Sequence, residues 1–263
     1  METQQSLRGK AAIVTGASRG IGRAIAVRLA QEGVRTVLCA RDCNALAAVQ
    51  REAQATGSPA VALPLDLRTP DTPARLAGFA MESLGRIDIV VNNAGATRRG
   101  EFERLNDEDW IDGFALKFFG AVRLTRAAWP HLKQASGAVL FISGVGGRTP
   151  GSQFAIGGSV NAALLSLTKA LADAGVKDGI RVNAINPGTI RTQRFQSRLS
   201  KLAEEIGTDD LATAEREYVR RSGISRIGEP EDVANLAAFV LGPAGTLLQG
   251  ALIDLDGGAT KTL

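Results

Sequence analysis

The chain has 263 residues, of which 44% are hydrophobic and 22% charged, with a formal net charge of +4 at pH 7. This composition is typical of a globular protein with a sizeable core and excludes a low-complexity chain. The arginines are scattered rather than gathered in one run, which argues against nucleic acid as a partner. The opening METQQSLRGK lacks the apolar core of a signal peptide, and no window resembles the roughly 18 apolar residues of a membrane span. We therefore expect a cytoplasmic location.

Short apolar runs alternate with segments of helical period along the chain. The runs predict strands at 11–15, 35–40, 60–65, 87–91, 138–143, 180–185 and 251–255. Helical crossovers between successive strands predict a parallel sheet with helices on both faces, in a single domain over 1–263. The cysteines, Cys39 and Cys43, predict reduced thiols and no metal site.

The first predicted strand leads directly into TGASRGIG, a glycine-rich turn before a helix. Gly16, Gly20 and Gly22 would allow a tight turn and a close approach of the backbone to a phosphate group. The amino terminus of the following helix offers N–H groups to a pyrophosphate. A glycine-rich turn alone is a weak signal, since it can be purely structural.

Two later segments also bear on function. The stretch 191–229 interrupts the strand–helix alternation with polar, helical sequence, and we interpret it as a lid over the ligand-binding edge of the sheet. The stretch FAIGGSVNAALLSLTKAL, from Phe154 to Leu171, has the period of an amphipathic helix. Its front end, GGSVN, contains no strong acid, base or nucleophile.

Taken together, these motifs resemble the short-chain dehydrogenase/reductase family. The turn TGASRGIG is followed in order by LDL at 65–67, NNAG at 92–95, NPGTIRT at 186–192 and GALIDLDGG at 250–258. The resemblance covers almost the whole chain and implies a Rossmann-like, doubly wound sheet of seven parallel strands. It also implies a bound nicotinamide dinucleotide, a small-molecule substrate and a homo-oligomer, either a dimer or a tetramer.

The resemblance further implies which residues hold the dinucleotide. The glycine-rich turn would bind its phosphates, 66–67 the adenine, 93–95 a ribose and 187–192 the nicotinamide end. The residues so implied are Gly16, Ser18, Arg19, Gly20, Ile21, Gly22, Asp66, Leu67, Asn93, Ala94, Gly95, Pro187, Gly188, Ile190 and Thr192.

The end of the second predicted strand favours NADP over NAD. An NAD site needs an acidic residue there to bind the ribose 2′-hydroxyl, whereas NADP needs a cation for the 2′-phosphate. Ala40 stands at the expected acidic position and Arg41 follows it, with Arg19 as a second cation in the turn. NAD stays possible if Asp42 takes the acidic position instead.

The catalytic positions that the resemblance implies hold unexpected residues. Counting back from the family-like AALLSLTK, the tyrosine position holds Gly157 and the lysine position holds Asn161. The serine position holds Gly144, or Ser143 if the strand slips by one residue. The asparagine position holds Lys117, so an amine and an amide have exchanged places. With no proton donor at Gly157, we expect slow turnover of the usual carbonyl substrates unless another group replaces it.

We hypothesise that Lys117 approaches the space of the absent tyrosine, with Asn161 and Ser143 beside it, and either transfers a proton or holds a ribose or an anionic substrate. In the alternative, Lys117 extends to solvent and Asn161 caps or packs. Arg98 and Arg99 are either solvated loop residues or anion ligands. Three functions stay open: an oxidoreductase with a rebuilt proton path, a dinucleotide- or ligand-binding protein without activity, and a non-redox isomerase or lyase.

Overall fold

The computed structural model describes residues 7–262. Within that range, one sheet contains β1 (Ala11–Thr15), β2 (Arg35–Ala40), β3 (Ala60–Pro64), β4 (Ile89–Asn92), β5 (Ala138–Ile142), β6 (Arg181–Pro187) and β7 (Leu252–Leu255). All strand pairs are parallel, in the order β3-β2-β1-β4-β5-β6-β7. The Rossmann-like sheet of seven parallel strands is confirmed. Most of the opening stretch on which the signal-peptide expectation rests, residues 1–6, lies outside the described residues.

Helices connect the strands on both faces of the sheet. They are α1 (Gly20–Gln31), α2 (Cys43–Gln54), α3 (Thr72–Leu84), α4 (Asp107–Phe114), α5 (Gly120–Ala135), α6 (Ala155–Asp178), α7 (Gln193–Ile206), α8 (Leu211–Ser222) and α9 (Pro230–Leu241). A π-helical turn, Ala115–Phe119, joins α4 to α5 without a break in the helix.

Neighbouring strand residues point into separate cores on the two faces. Val14 belongs to the core cluster that contains residues of α1 and α9, whereas Ile13 belongs to the cluster that contains residues of α3, α5 and α6. This alternation is the two-residue period of a strand covered on both faces. From β1 the chain builds outward to β3 and then returns to pair β4 with β1. The resulting switch point opens a crevice at the carboxyl ends of β1 and β4.

The predicted strand bounds agree fully for β1 and β2 and differ elsewhere by one or two residues. The largest extension is in β6, which continues through Asn186 and Pro187 to pair with β7. The apolar run ends at Ile185, so hydrophobicity alone misses this extension. The Asn186 amide donates to Asp254 Oδ1 at 2.8 Å, a side-chain bond that accompanies the polar continuation of the ladder.

Helix α6 lies within the fold as a core helix. Among residues 7–262, the segment Ser152–Asp178 is the one stretch whose length and composition would allow it to cross a membrane, and 44% of its most apolar window is buried. Leu164 and Ala172 of this helix belong to the core cluster on one face of the sheet. The expectation that no window resembles a membrane span is therefore wrong for this segment by length and composition. Core helices of globular proteins commonly pass the same test, so the finding is weak evidence for a membrane span.

Most of segment 191–229 folds into α7 and α8. These helices pack around a small apolar cluster of their own that includes Phe195 and Leu199, and the Phe195 and Tyr218 rings meet edge to face at 5.1 Å. At the base of the segment, Arg191 donates to Glu215 at 2.7 Å. The segment follows β6, so it begins at the carboxyl edge of the sheet.

Candidate active site and dinucleotide cleft

The glycine-rich turn after β1 packs directly against the loop that follows β4. Thr15 Oγ1 accepts hydrogen bonds from the backbone N–H groups of Asn93 and Ala94, each at 3.0 Å. Gly16 has a φ of +64°, and a Cβ on Gly22 would lie 2.2 Å from the Gly16 carbonyl oxygen. Neither position leaves room for a side chain, so the backbone turns tightly into α1. The first turn of α1 has neither a side-chain cap nor an acidic residue, which suits its N–H groups to an anion.

Other residues of the turn border the same cleft. Ser18 is half-buried, and Ile21 packs on the core. The Arg19 guanidinium is exposed and donates to Gln193 Oε1 at 3.1 Å. Thr192 stands opposite Gly20, since its Cγ2 would lie 3.3 Å from a Cβ built there. The turn and the start of α7 therefore face each other across a narrow groove.

The end of β2 presents a cation and no free acid. Arg41 follows Ala40 with its side chain 61% exposed, and its closest carboxylate oxygen, on Asp66, is 3.8 Å away. The Asp42 carboxylate caps α2 by accepting a backbone N–H at 3.0 Å. An acid used in this way is poorly placed for a ribose hydroxyl, so the geometry favours the NADP alternative over the NAD one. Leu67, beside Asp66, is buried.

The residues implied for the nicotinamide end follow β6 in the same groove. Pro187 ends the strand, and a Cβ on Gly188 would lie 2.7 Å from Asp256 Cβ. Ile190 is buried. Thr192 immediately precedes α7, and its side chain makes no capping bond to that helix.

Lys117, Asn161 and Ser143 meet at the carboxyl end of β5. The Lys117 amine, from the π-helical turn, donates to the Ser143 carbonyl oxygen at 2.7 Å and to Asn161 Oδ1 at 2.5 Å. The Ser143 hydroxyl is used elsewhere, donating to the backbone oxygen of Asn161 at 3.1 Å. The exchanged amine and amide are thus joined directly, and Lys117 does not extend to solvent as the alternative had it.

The environment of the Lys117 amine favours its neutral form. The aliphatic part of the side chain runs over Gly95, where a Cβ would lie 2.8 Å from Lys117 Cδ. Arg194 of α7 donates to the Gly95 carbonyl oxygen at 2.7 Å. Loss of hydration, followed by the positive charge of Arg194, lowers the pKa of Lys117 to about 7. An ammonium has three N–H donors, so one remains beyond the two bonds already made.

The ring of Phe154 occupies the space beside Gly157. A Cβ on Gly157 would lie 2.0 Å from Phe154 Cε2, and one on Gly146 would lie 2.7 Å from Cε1. Phe118 and Phe119, in the π-helical turn, instead pack edge to face on each other with ring centroids 5.4 Å apart. The first turn of α6 therefore has glycine at position 157, because the Phe154 ring, from just before the helix, covers it and leaves no room for a side chain.

Three arginines, Arg99, Arg194 and Arg198, gather around the mouth of this site. Of these, Arg99 alone was a candidate from the sequence. Arg99 lies with its guanidinium carbon 4.0 Å from the centroid of the Phe154 ring, whereas Arg98 pairs with a carboxylate of α4 at 2.9 Å. Arg194 and Arg198 project from α7. Their spacing of four residues places them on one face of a helix, which is the signal that would have found them.

Known proteins are similar to this chain over nearly its whole length. Residues 10–203 match the model of the family described as short chain dehydrogenase. An uncharacterised oxidoreductase of Mycobacterium tuberculosis (strain CDC 1551 / Oshkosh) is 36% identical over 256 residues, which cover 97% of this chain and 93% of that protein.

Two solved structures are also similar over nearly their full length. The L-sorbose reductase from Gluconobacter frateurii, complexed with NADPH and L-sorbose, is 32% identical with a TM-score of 0.93 over 99% of this chain and 100% of its own. A short chain oxidoreductase from Pseudomonas aeruginosa PAO1, described as containing an atypical catalytic center, is 27% identical with a TM-score of 0.90 over 98% and 100%. The NADPH complex supports NADP(H) as the dinucleotide for this cleft. By family match and full-length identity, the chain belongs to the short-chain dehydrogenase/reductase family.

Proposed function

We propose that this protein is an NADP(H)-dependent oxidoreductase in which Lys117 performs the proton transfer that the family assigns to tyrosine. The observation that carries the proposal is the position of the Lys117 amine, bonded to the Ser143 carbonyl and the Asn161 side chain at 2.7 and 2.5 Å. A group with a pKa near neutrality can both give and take a proton at pH 7. Lys117 is such a group, with a pKa of about 7.

The proposed reaction transfers one proton and one hydride. In reduction, the Lys117 ammonium donates a proton to the carbonyl oxygen of the substrate, leaving a neutral amine and an alcohol. When bound, NADPH supplies the hydride for the carbonyl carbon. In oxidation, the neutral Lys117 amine accepts the proton of the alcohol. Asn161 and Ser143 position the amine through their oxygens, and the third N–H of Lys117 is the one we assign to the substrate.

We further propose that the active site is non-standard. The family positions for tyrosine and serine are assigned to Gly157 and Gly144, neither of which has a side chain that could transfer a proton or bind an oxyanion. The Phe154 ring beside Gly157 supports this assignment, because it makes that part of the site apolar. The Pseudomonas aeruginosa relative is described as having an atypical catalytic center, so departures at this site have a parallel in a related protein.

The cleft residues fit a nicotinamide dinucleotide phosphate. The close packing of Gly22 on Gly16 and the uncapped amino terminus of α1 suit a pyrophosphate, and Arg41 suits the 2′-phosphate. We assign dinucleotide binding to the whole set that the family resemblance implies: Gly16, Ser18, Arg19, Gly20, Ile21, Gly22, Arg41, Asp66, Leu67, Asn93, Ala94, Gly95, Pro187, Gly188, Ile190 and Thr192.

The proposal is tested by NADPH consumption against a panel of aldehydes and ketones, both neutral and anionic. We expect measurable turnover in the wild type and a loss of about 100-fold or more in Lys117→Met, the range for a lost acid–base group. Lys133→Met is the matched control, because Lys133 pairs with Asp178 at 2.6 Å on the surface. Equal rates in Lys117→Met and the wild type would contradict the proposal.

Phe154 favours a second candidate function, dinucleotide or ligand binding without turnover. Its ring takes the space into which a side chain on Gly157, the family's tyrosine position, would project. A wild-type protein that binds NADPH but consumes none across the panel would support this function. Turnover that appears only in Phe154→Ala would show that the ring alone closes the site.

We also propose that segment 191–229 acts as a substrate lid in a single-domain enzyme. The bond from Arg194 to the Gly95 carbonyl supports this role, since it already spans the mouth of the site. A homo-oligomer, a cytoplasmic location, and a small-molecule substrate rather than nucleic acid or membrane complete the proposal.

A further inference from the structure

Arg99, Arg194 and Arg198 form an arginine cluster that lacks counter-ions. Most other arginines between residues 7 and 262 sit beside a carboxylate; Arg191, for example, pairs with Glu215 at 2.7 Å. No member of the arginine cluster makes an ion pair within the described part of the chain. Instead, Arg99 and Arg198 lie over the aromatic rings of Phe154 and Phe195.

The members of the arginine cluster are close enough to repel one another. Desolvation is the largest cause that lowers the pKa values of Arg99 and Arg194. The charges of Arg198 and Arg194 lower the pKa of Arg99 further, and the charges of Arg19 and Arg198 lower that of Arg194. Like charges held together without counter-ions raise the energy of the empty site. An anion placed among them would remove that cost and gain charge-assisted hydrogen bonds.

The arginine cluster is continuous with the Lys117 site. Arg99 stacks on Phe154, whose ring covers Gly157 at the opening of α6. Arg194 bonds to Gly95, on which the Lys117 side chain packs. A ligand whose oxygen met the Lys117 amine would therefore have the arginine cluster at its other end.

Arg99 also borders free space. It lines an open cavity of about 250 Å³ together with Arg98, Arg104 and Gln153. Arg98 and Arg104 are paired with Asp109 and Glu101 at 2.9 Å each. Arg99 is thus the cation of this cavity that has no carboxylate partner, and Lys117, Arg194 and Arg198 do not line the cavity.

We propose that the substrate carries an anionic oxygen group, a carboxylate or a phosphate, which Arg99 and Arg198 bind while Lys117 faces the reacting oxygen. Arg194 lies between these two ends of the substrate. This inference rests on the proposed oxidoreductase function, and it narrows the substrate class to oxo acids and phosphorylated carbonyl compounds.

The phosphates of the dinucleotide have other partners in this cleft. Arg41 stands at the end of β2, and Arg19 stands in the glycine-rich turn. Arg99 and Arg198 belong instead to the loop after β4 and to α7. The experiment therefore has to distinguish two possibilities: Arg99 and Arg198 bind the anionic group of the substrate, or they bind the dinucleotide.

The test is calorimetric binding to the full-length protein saturated with NADP⁺. The ligands are oxo acids of increasing carbonyl-to-carboxylate distance with their methyl esters, dihydroxyacetone phosphate with dihydroxyacetone, and inorganic phosphate alone. The variants are Arg99→Gln, Arg198→Gln and the double variant, with Arg98→Gln as the matched control. A separate titration measures the Kd of NADPH for each variant.

We expect at least one anion to bind about tenfold or more tightly than its neutral partner, and the double variant to lose that preference. Arg98→Gln keeps the preference, and the Kd of NADPH stays unchanged in all variants. The inference is overturned if no anion binds more tightly than its neutral partner, or if the double variant keeps that preference. It is also overturned if the double variant weakens the binding of NADPH by as much as it weakens the binding of the anion. Because binding needs no turnover, a preference without NADPH consumption would refute the proposed oxidoreductase activity and leave the anion site standing.

Discussion

At the scale of single residues, the chemistry of this protein depends on where one amine lies. Lys117 and Asn161 have exchanged the positions that family resemblance assigns to them, and the two side chains meet at 2.5 Å. An amine bonded to a carbonyl and an amide oxygen, with no carboxylate beside it, gains no stabilising negative charge. Its ammonium form is therefore weakened by desolvation, which is how a lysine becomes a proton-transfer group at neutral pH.

The lowered pKa of Lys117 predicts how stability depends on pH. The unfolded chain keeps this proton up to about pH 10.5, whereas the folded protein releases it near pH 7, so unfolding between these values takes up a proton. The free energy of unfolding therefore rises with pH in this window, by up to about 1.4 kcal/mol per pH unit from this group. Urea unfolding at pH 7.5, 8.0 and 8.5 measures the slope.

Lys117→Met supplies the comparison for this slope. We expect the variant to lose the rise with pH, whatever its stability at a single pH. Burial raises the pKa of Cys39 to about 12, which makes stability fall above pH 9, but wild type and variant share this contribution. Parallel slopes for the two proteins would mean that Lys117 has an ordinary pKa.

Arg41 predicts the preference between dinucleotides. Its exposed guanidinium at the end of β2 is positioned to bind the 2′-phosphate that NADPH has and NADH lacks. We expect Arg41→Ala to weaken the binding of NADPH by about tenfold and to leave the binding of NADH nearly unchanged, as measured by fluorescence titration. Arg51→Ala, at an exposed position further along α2, is the control. Equal wild-type affinities for NADPH and NADH would contradict the assignment.

At the scale of elements, the opening of α6 and the ring that precedes it form one unit. Gly157 and Gly158 are both buried, and the Phe154 ring lies where a side chain on Gly157 would project. The helix keeps glycine there although alanine is the better helix former by about 1 kcal/mol. The lack of space beside the Phe154 ring, and not helix propensity, therefore explains the glycine at position 157.

A double-mutant cycle tests this packing. Gly157→Ala places a Cβ 2.0 Å from Phe154 Cε2, so the ring must move, and we expect a destabilisation of about 1–3 kcal/mol. In the Phe154→Ala background, the same substitution becomes neutral or stabilising by up to about 1 kcal/mol. Additive effects in chemical denaturation would show that Phe154 does not fill the space beside Gly157.

The helices and strands could be predicted from the sequence where they depend on a local pattern of residues. The bounds of β1 and β2 follow from their apolar runs, and the motif order along the chain identified the cleft. The sequence could not show which side chain fills the space beside Gly157. Three aromatic residues could reach it, Phe118, Phe119 and Phe154, and only tertiary packing determines that Phe154 does. The bond from Arg194 to Gly95 joins residues 99 positions apart, and no local pattern reports such a contact.

At the scale of the whole molecule, the surface of α6 bears on oligomeric state. The helix is apolar enough for a core position, yet only 44% of its most apolar window is buried in the single chain. Its exposed positions combine Val176 with polar residues such as Ser159 and Lys169, so the expectation of an oligomer rests on the family resemblance. We expect sedimentation equilibrium at micromolar concentration to find a dimer or a tetramer, and a monomer at all concentrations would contradict this prediction.

The most direct test of the central claim is the pKa of the Lys117 amine, measured by NMR on protein labelled with ¹³C at lysine Cε. We predict one Cε resonance that titrates near pH 7, both without NADPH and with it, and that is missing from Lys117→Met. Lysine resonances that all titrate near pH 10.5 would mean that Lys117 stays charged at neutral pH. Such a result would contradict its role in proton transfer.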